Sequence, residues 1–242
     1  MVRGRLAWQR AELVERREET AQASTLVLSV PGWPGHEAGQ HVDVRLTAAD
    51  GYSTQRSYSL AAPDHGAQVE LTVQAVAGGE VSPFLVRDLA VGDPVELRGP
   101  VGGWFVWRPD QPHRVLLLAG GSGVVPMMAM VRARHESGSQ SPMRLVYSVR
   151  APTDVLYGDE LRQRADQDDG LEVTIVHTRS APPGSTRSAA RLDREELAGL
   201  AWPPADDVLT YVCGPTRFVD AIAAALVDAG YDERAVRTER FG

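Results

Sequence analysis

Arg56-Ser57-Tyr58-Ser59 sets a planar cation and an aromatic ring two residues apart. In a strand, that spacing puts both side chains on one face. The Arg56 fork suits a pyrophosphate, the Tyr58 ring suits stacking on a flat heterocycle, and the Ser59 hydroxyl or N–H could reach a ring nitrogen. A strand with a snorkelling arginine would read the same way. Gly79-Glu80-Val81-Ser82 reads as the start of a short helix, with Ser82 beside Pro83 in the first turn and Phe84, Leu85 and Leu89 on one face. Backbone N–H groups and a serine hydroxyl there form an anion site, or an N-cap and nothing more.

A third group lies between Arg114 and Arg134. Val115 to Ala119 is an apolar run that reads as a strand buried on both faces. Glycines follow at 120, 121 and 123, then Pro126 and Met127 to Val131 at helical density. A strand, a glycine turn and a helix opened by proline present free N–H groups to a phosphate, which makes Gly121, Ser122, Gly123, Val124 and Val125 candidate ligands. The fingerprint is Gly121-x-Gly123-x-x-Pro126, and the next strand, Arg144 to Arg150, lacks the terminal acid of the usual dinucleotide fold. An ordinary tight turn is the competing reading. Cys213-Gly214-Pro215 repeats the strand–turn–helix pattern, at the kind of strand end where ligands gather in open α/β sheets. No base accompanies Cys213, so it does not read as a nucleophile. Gly99-Pro100-Val101-Gly102-Gly103-Trp104-Phe105 is a tight turn carrying aromatics.

Composition narrows the field. The chain has 242 residues, 43% hydrophobic and 24% charged, with a net charge of −7. That is a globular balance with no basic cluster, and a nucleic-acid partner is not expected. The basic stretch near the N-terminus is balanced by glutamates and reads as solvated surface. One cysteine excludes a disulfide framework and a cysteine-ligated iron–sulfur cluster within this sequence. The histidines show no metal-ligand spacing, so no metal is expected. The longest uncharged run, Val115 to Val131, is seventeen residues and holds three glycines and a proline. It reads as core, not a membrane span. No signal peptide is apparent, and a cytoplasmic location is expected.

The elements that must position these groups fall into two halves. Residues 1 to about 108 hold strand candidates at Thr25–Val30, His41–Leu46, Ser57–Leu60, Val69–Ala75 and Pro94–Leu97, separated by Pro/Gly and Asp/Gly turns. Short, evenly spaced strands predict an antiparallel β-barrel. Beyond Arg108-Pro109-Asp110-Gln111-Pro112, strands at Val115–Ala119, Arg144–Val149, Leu171–His177 and Val208–Cys213 alternate with helical stretches near 126–136, 157–165, 193–199 and 215–228. That alternation predicts a Rossmann-like parallel α/β domain. The expected domains are 1–110 and 111–242.

Arg-x-Tyr-Ser, Gly-x-x-Ser, the glycine–aromatic turn at 99–105, Gly-x-Gly-x-x-Pro and Cys-Gly-Pro follow one another along the chain, and Glu239-Arg240-Phe241-Gly242 ends it. This order resembles the ferredoxin–NADP reductase family over about residues 10 to 242: a flavin-binding barrel followed by a nicotinamide-nucleotide domain. The resemblance implies that Arg56 pairs with the FAD pyrophosphate, that Tyr58 lies against the isoalloxazine, that Ser59 hydrogen-bonds near N5, and that Ser57 between them is also cofactor-binding. It implies that Val73, Gln74 and Val76 contact the ring edge and ribityl chain through backbone groups, and that Gly79, Glu80, Val81 and Ser82 bind the pyrophosphate. Gly121 to Val125 would bind the pyrophosphate of the nicotinamide nucleotide. Cys213, with Gly214 and Pro215, would approach the nicotinamide, Phe241 would cover the flavin, and Glu239 would tune the ring or supply a proton. The aromatic here is Phe, one residue from the end, where the family has a terminal Tyr.

Thr178-Arg179 matches a Ser/Thr-Arg pair used for a 2′-phosphate, with Arg150 and Arg187 as further candidates, so NADPH is expected and NADH is possible. The implied function is hydride transfer from NAD(P)H to FAD, then single electrons to a separate acceptor such as an iron–sulfur ferredoxin or oxygenase component. A flavin reductase or diaphorase reducing a small molecule is the alternative, and a flavin-binding regulatory subunit is a second. FMN could replace FAD, although the 79–82 anion site suits the longer cofactor.

Overall fold

The computed structural model describes residues 6–48 and 50–241; Gly242, the last residue of the terminal motif, lies outside them. The chain divides into two compact units. One comprises residues up to 108 with 128–133, and the other comprises 109–127 and the residues from 134 onward.

The first unit is an antiparallel sheet of six strands: β1 (Gln9–Thr20), β2 (Ala23–Ser29), β3 (His41–Thr47), β4 (Ser53–Ser59), β5 (Gln68–Gln74) and β6 (Pro94–Val101), in the order β4-β3-β6-β1-β2-β5. Just past β4, Leu60 bridges to Leu71 of β5, and the Ala61 N–H donates to the Glu70 carbonyl at 2.8 Å. The two outermost strands thus meet at one end, and the sheet curls into a barrel around Leu13, Leu28, Val42, Val44, Leu60 and Leu97. In β3 the alternation holds as expected: Val42 and Val44 are buried while His41, Asp43 and Arg45 are half-buried.

Two corrections follow. Gln9–Thr20, expected as solvated surface, is the longest strand; only Ala11 and Leu13 turn inward, and charged side chains cover the rest. The short helix starts within Gly79–Ser82 as expected, but Ser82 does not cap it. α1 spans Val81–Pro83, runs on as a π-helical turn over Phe84–Asp88, and begins after Glu80, whose side chain caps nothing. The Ser82 hydroxyl instead accepts the Val76 N–H at 3.1 Å and closes the glycine turn. The buried face is Val81, Leu85 and Leu89, while Phe84 is turned outward.

The second unit is a parallel sheet of five strands: β7 (Arg114–Gly120), β8 (Met143–Val149), β9 (Leu171–His177), β10 (Val208–Pro215) and β11 (Val236–Phe241), in the order β11-β10-β7-β8-β9. Helices α2 (Val124–Ser137), α3 (Gly158–Gln167), α4 (Arg194–Leu200) and α5 (Thr216–Asp228) connect or follow them. Val115 to Ala119 is fully buried, as a central strand requires. β11 has no counterpart in the sequence reading, because Val236 is its one buried residue. Among the described residues, no helix is long and apolar enough to cross a membrane.

Candidate functional sites in the two units

In the first unit the two sheet edges decide the geometry. Among the described residues β4 pairs only with β3 and β5 only with β2, so beyond the Leu60–Leu71 bridge each keeps an edge with no strand partner there. Such edges offer N–H and C=O groups to a ligand. Register then sorts the β4 side chains. Tyr58 lies opposite Val42 and Arg56 opposite Val44, both core residues, so ring and cation share the inward face as their spacing predicts. Ser57 lies opposite Asp43 on the other face and donates to its carboxylate at 2.7 Å. Arg98 holds the same carboxylate at 2.7 Å. Burial alone would raise the Asp43 pKa, but the Ser57 and Arg98 hydrogen bonds outweigh it and hold the carboxyl below its ordinary value. The Ser57 side chain therefore serves the sheet's other face, and only its backbone remains for a cofactor.

Tyr58 packs against the barrel core, and burial pushes its hydroxyl up to about 12 against the opposing pull of Arg56. The ring is thus a neutral phenol beside a cation. Arg56 is exposed and uses one terminal nitrogen, Nη1, on the Gln55 carbonyl at 2.7 Å and the Thr54 hydroxyl at 3.5 Å. Its Nε and Nη2 donors have no partner among the described residues. Val73 is buried, so it can meet a ligand only through its backbone, whereas Gln74 and Ser59 are half-buried. α1 lies beside both β4 and β5. Gly79 is held close, since a Cβ there would come within 3.1 Å of the Val76 carbonyl. Glu80 accepts from the Tyr52 hydroxyl at 3.1 Å, and Val81 is core. A flat ring with a dianionic tail fits this seam: an aromatic face, a guanidinium with free donors and two open strand edges.

In the second unit all strands are parallel, so their carboxyl ends share one edge. That edge gathers Gly121 to Val125 after β7, Arg150 after β8, Thr178 and Arg179 after β9, Cys213 to Pro215 at the end of β10, and Glu239 to Phe241 at the end of β11. From β7 the chain moves through β8 to β9, then returns on the other side as β10 and β11. The reversal lies between β7 and β10, where a crevice forms in open α/β sheets. β9 and β10 stand three strand spacings apart, roughly 14 Å.

The glycines of the fingerprint have different duties. A Cβ on Gly123 would lie 2.2 Å from the Cys213 carbonyl, so this glycine lets β10 and the start of α2 touch. Gly120 and Gly214 both leave room for the Phe218 ring, at 2.7 and 2.8 Å from their Cβ positions. Gly121 has φ +55° with open space around it, so it serves conformation, not packing. Val124 and Val125 are buried, and Pro126 sits in the first turn of α2 as expected.

Cys213 is 1% exposed. Burial, and next the Glu239 carboxylate paired with it across β10 and β11, push the thiol well above its ordinary value, with the Gly214 N–H opposing. It stays a neutral thiol. Phe241 is exposed at the end of β11.

The four candidates for the 2′-phosphate separate cleanly. The Thr178 N–H donates to the Val149 carbonyl at 2.8 Å and the Arg179 N–H to the Arg150 carbonyl at 2.9 Å. Arg150 and Arg179 therefore sit together, both exposed, with no side-chain partner among the described residues. Arg187 is different. Its guanidinium holds Glu196 through Nε and Nη2, and the carbonyls of His177, Ser188 and Ala190. Every N–H it owns is taken. These bonds give Arg187 a structural role in the loop, and nothing local in the sequence pairs it with Glu196.

Comparison with known proteins agrees with this geometry. An "Oxidoreductase FAD-binding domain" model matches residues 10–106, and an "Oxidoreductase NAD-binding domain" model matches 117–224. Ferredoxin--NADP reductase B of Sorangium cellulosum is 33% identical over 212 residues, 85% of each chain. NADH-cytochrome b5 reductase 1 of Emericella nidulans is 30% identical over 81% of this chain and 65% of its own. The ferredoxin--NAD(P)(+) reductase component of the naphthalene 1,2-dioxygenase/salicylate 5-hydroxylase systems of a Ralstonia species is 28% identical over 84% of this chain and 60% of its own. The chain thus spans under two thirds of the length of these last two. Among solved structures, the cytochrome b5 reductase domain of Ulva prolifera nitrate reductase superposes with a TM-score of 0.86 at 21% identity, covering 96% of this chain and 97% of that one. By sequence and architecture, the chain belongs to the ferredoxin–NADP reductase family, with an FAD-binding domain followed by an NAD-binding domain.

Proposed function

We propose that this chain is an NAD(P)H-dependent FAD reductase that takes hydride from a nicotinamide nucleotide and passes single electrons to a separate acceptor, such as a ferredoxin or the iron–sulfur component of an oxygenase. The observation that carries it is the carboxyl edge of the parallel sheet, where the glycine turn and the Cys-Gly-Pro turn flank the chain reversal and two exposed arginines stand further along the same edge, after β8 and β9. Bound FAD would supply the conversion between hydride and single-electron chemistry.

The chain's own residues bind and orient. Arg56 neutralises the flavin pyrophosphate, and the backbone of Gly79–Ser82 supports it. Tyr58 holds the ring by its face, Ser59 hydrogen-bonds near N5, and the β5 backbone at Val73 and Gln74, with Val76 beyond, follows the ring edge and ribityl chain. Gly121 to Val125 receive the pyrophosphate of the nicotinamide nucleotide, and Cys213 to Pro215 flank its nicotinamide. Cys213 acts there as a neutral, compact wall. Glu239, beside it in register, is the candidate proton group. Arg150, Thr178 and Arg179 receive the 2′-phosphate, which favours NADPH over NADH. The domains are assigned as 1–110 for flavin and 111–242 for nicotinamide nucleotide.

Names among the relatives support the separate acceptor: a ferredoxin reductase component of a dioxygenase system and a glycine betaine monooxygenase reductase subunit. The test is acceptor competition under steady NADPH. The proposal expects a [2Fe–2S] ferredoxin to be reduced faster than free flavin, quinone or ferric iron. Rapid reduction of the small molecules with no transfer to any ferredoxin would make it a flavin reductase or diaphorase instead.

A further inference from the structure

Arg187 and Glu196 form a clasp that neither the motif nor the family description assigns. Arg187 stands in the loop between β9 and α4, and Glu196 in the first turn of α4. The Asp193 side chain accepts the Glu196 N–H at 2.9 Å, capping α4, while the Glu196 carboxylate receives Arg187 through Nε and Nη2. The planar fork matches the carboxylate on two atoms, which fixes the guanidinium plane. The remaining N–H groups then reach three backbone carbonyls: Nη1 to His177 at 3.0 Å and Ser188 at 3.1 Å, and Nη2 to Ala190 at 3.0 Å.

The His177 carbonyl is the informative one. It also accepts the Ala190 N–H at 3.1 Å. The same peptide unit, on its other side, donates the Thr178 N–H to the Val149 carbonyl at 2.8 Å. The peptide that launches Thr178 and Arg179 is therefore held at both ends, by β8 on one side and by the clasp on the other. Arg179 is tied at its own N–H to Arg150, but its side chain has no protein partner among the described residues. Its direction depends on that peptide.

We propose that Arg187, locked by Glu196, is a positioning residue that aims Thr178 and Arg179 at the 2′-phosphate of NADPH without touching the ligand. This rests on the NADPH reading above. Removing the clasp frees the loop, and the loss falls on the ligand that carries the 2′-phosphate.

The test is calorimetric binding of 2′,5′-ADP and of 5′-AMP to the whole chain loaded with FAD, for wild type, Arg187→Ala, Arg187→Lys and Glu196→Gln. The wild type is expected to bind 2′,5′-ADP more tightly. Arg187→Ala and Glu196→Gln should each weaken 2′,5′-ADP roughly tenfold, as for loss of a charge-assisted contact, and change 5′-AMP less than twofold. Arg187→Lys should fall between, because an ammonium keeps the charge but not the fork. In steady state the same variants should raise KM for NADPH with kcat and the NADH values nearly unchanged.

Tighter 2′,5′-ADP binding by Glu196→Gln would mean that a released Arg187 binds the phosphate directly, and the proposal would fall. Equal weakening of both ligands, the mark of general damage to the unit, would also overturn it, as would variants that bind like wild type. A wild type that does not distinguish the two ligands removes the NADPH reading itself and this inference with it.

Discussion

A guanidinium with free donors beside a neutral phenol on one strand face makes a specific demand. Replacing Arg56 by Ala should weaken FAD roughly tenfold or more, the worth of a charge-assisted contact to pyrophosphate, as measured by flavin released on dilution. Tyr58→Ala should also loosen the flavin, whereas Tyr58→Phe should retain it. His36 gives a pH prediction. Its ring is buried, accepts the Trp33 indole N–H at Nδ1 (3.0 Å) and meets the Ala62 carbonyl through Nε2 at 2.9 Å, which fixes the neutral Nε2–H form. Burial lowers its pKa from the ordinary 6.5, although the Ala62 bond and Asp64 pull the other way. Because the folded value is depressed, the stabilisation is present above the unfolded pKa and is lost as pH falls through the folded one. The urea midpoint of the protein should drop between about pH 8 and about pH 5 more in wild type than in His36→Gln. An equal drop in both would assign the acid loss elsewhere. At this scale the sequence was readable where a two-residue strand spacing places side chains, as at Arg56 and Tyr58. It was silent where the partner is a loop carbonyl, as at Arg187, because no local pattern announces which peptide a folded loop will present.

Elements differ in how loudly they announce themselves. β3 alternates, β7 is a continuous apolar run, and α5 follows its strand through Gly214 and Pro215, so all three can be read directly. β1 and β11 are edges of legibility: each buries one or two residues and presents charged side chains elsewhere, and pairing with a neighbour, not hydrophobic period, makes them strands. The glycine fingerprint was legible as a turn, but its division of labour was not. Gly123→Ala should destabilise the second unit by at least about 2 kcal/mol, since the new Cβ meets backbone that cannot yield. Gly121→Ala should cost only about 1 kcal/mol, from its positive φ alone. Thermal unfolding midpoints ranked in that order would support the assignment, and the reverse order would contradict it. Ser82→Ala, which strips the Val76 N–H of its acceptor, should cost about 1 kcal/mol and loosen flavin.

At the scale of the molecule, two kinds of sheet in one chain make two kinds of nucleotide seat. Among the described residues, an antiparallel barrel leaves two strand edges unpaired, and these offer backbone groups to a ligand. A parallel sheet offers a single edge where all its strands end. On this reading the chain holds a flavin that a nicotinamide nucleotide reduces. The direct measurement is an anaerobic titration of the FAD-loaded protein, following the visible flavin band as NADPH and then, separately, NADH is added. The expected result is full bleaching by about one equivalent of NADPH, the two-electron stoichiometry of hydride transfer, with NADH bleaching the same band more slowly. A protein that retains no flavin when supplied with it in excess, or a bound flavin that neither nucleotide bleaches, would contradict the account.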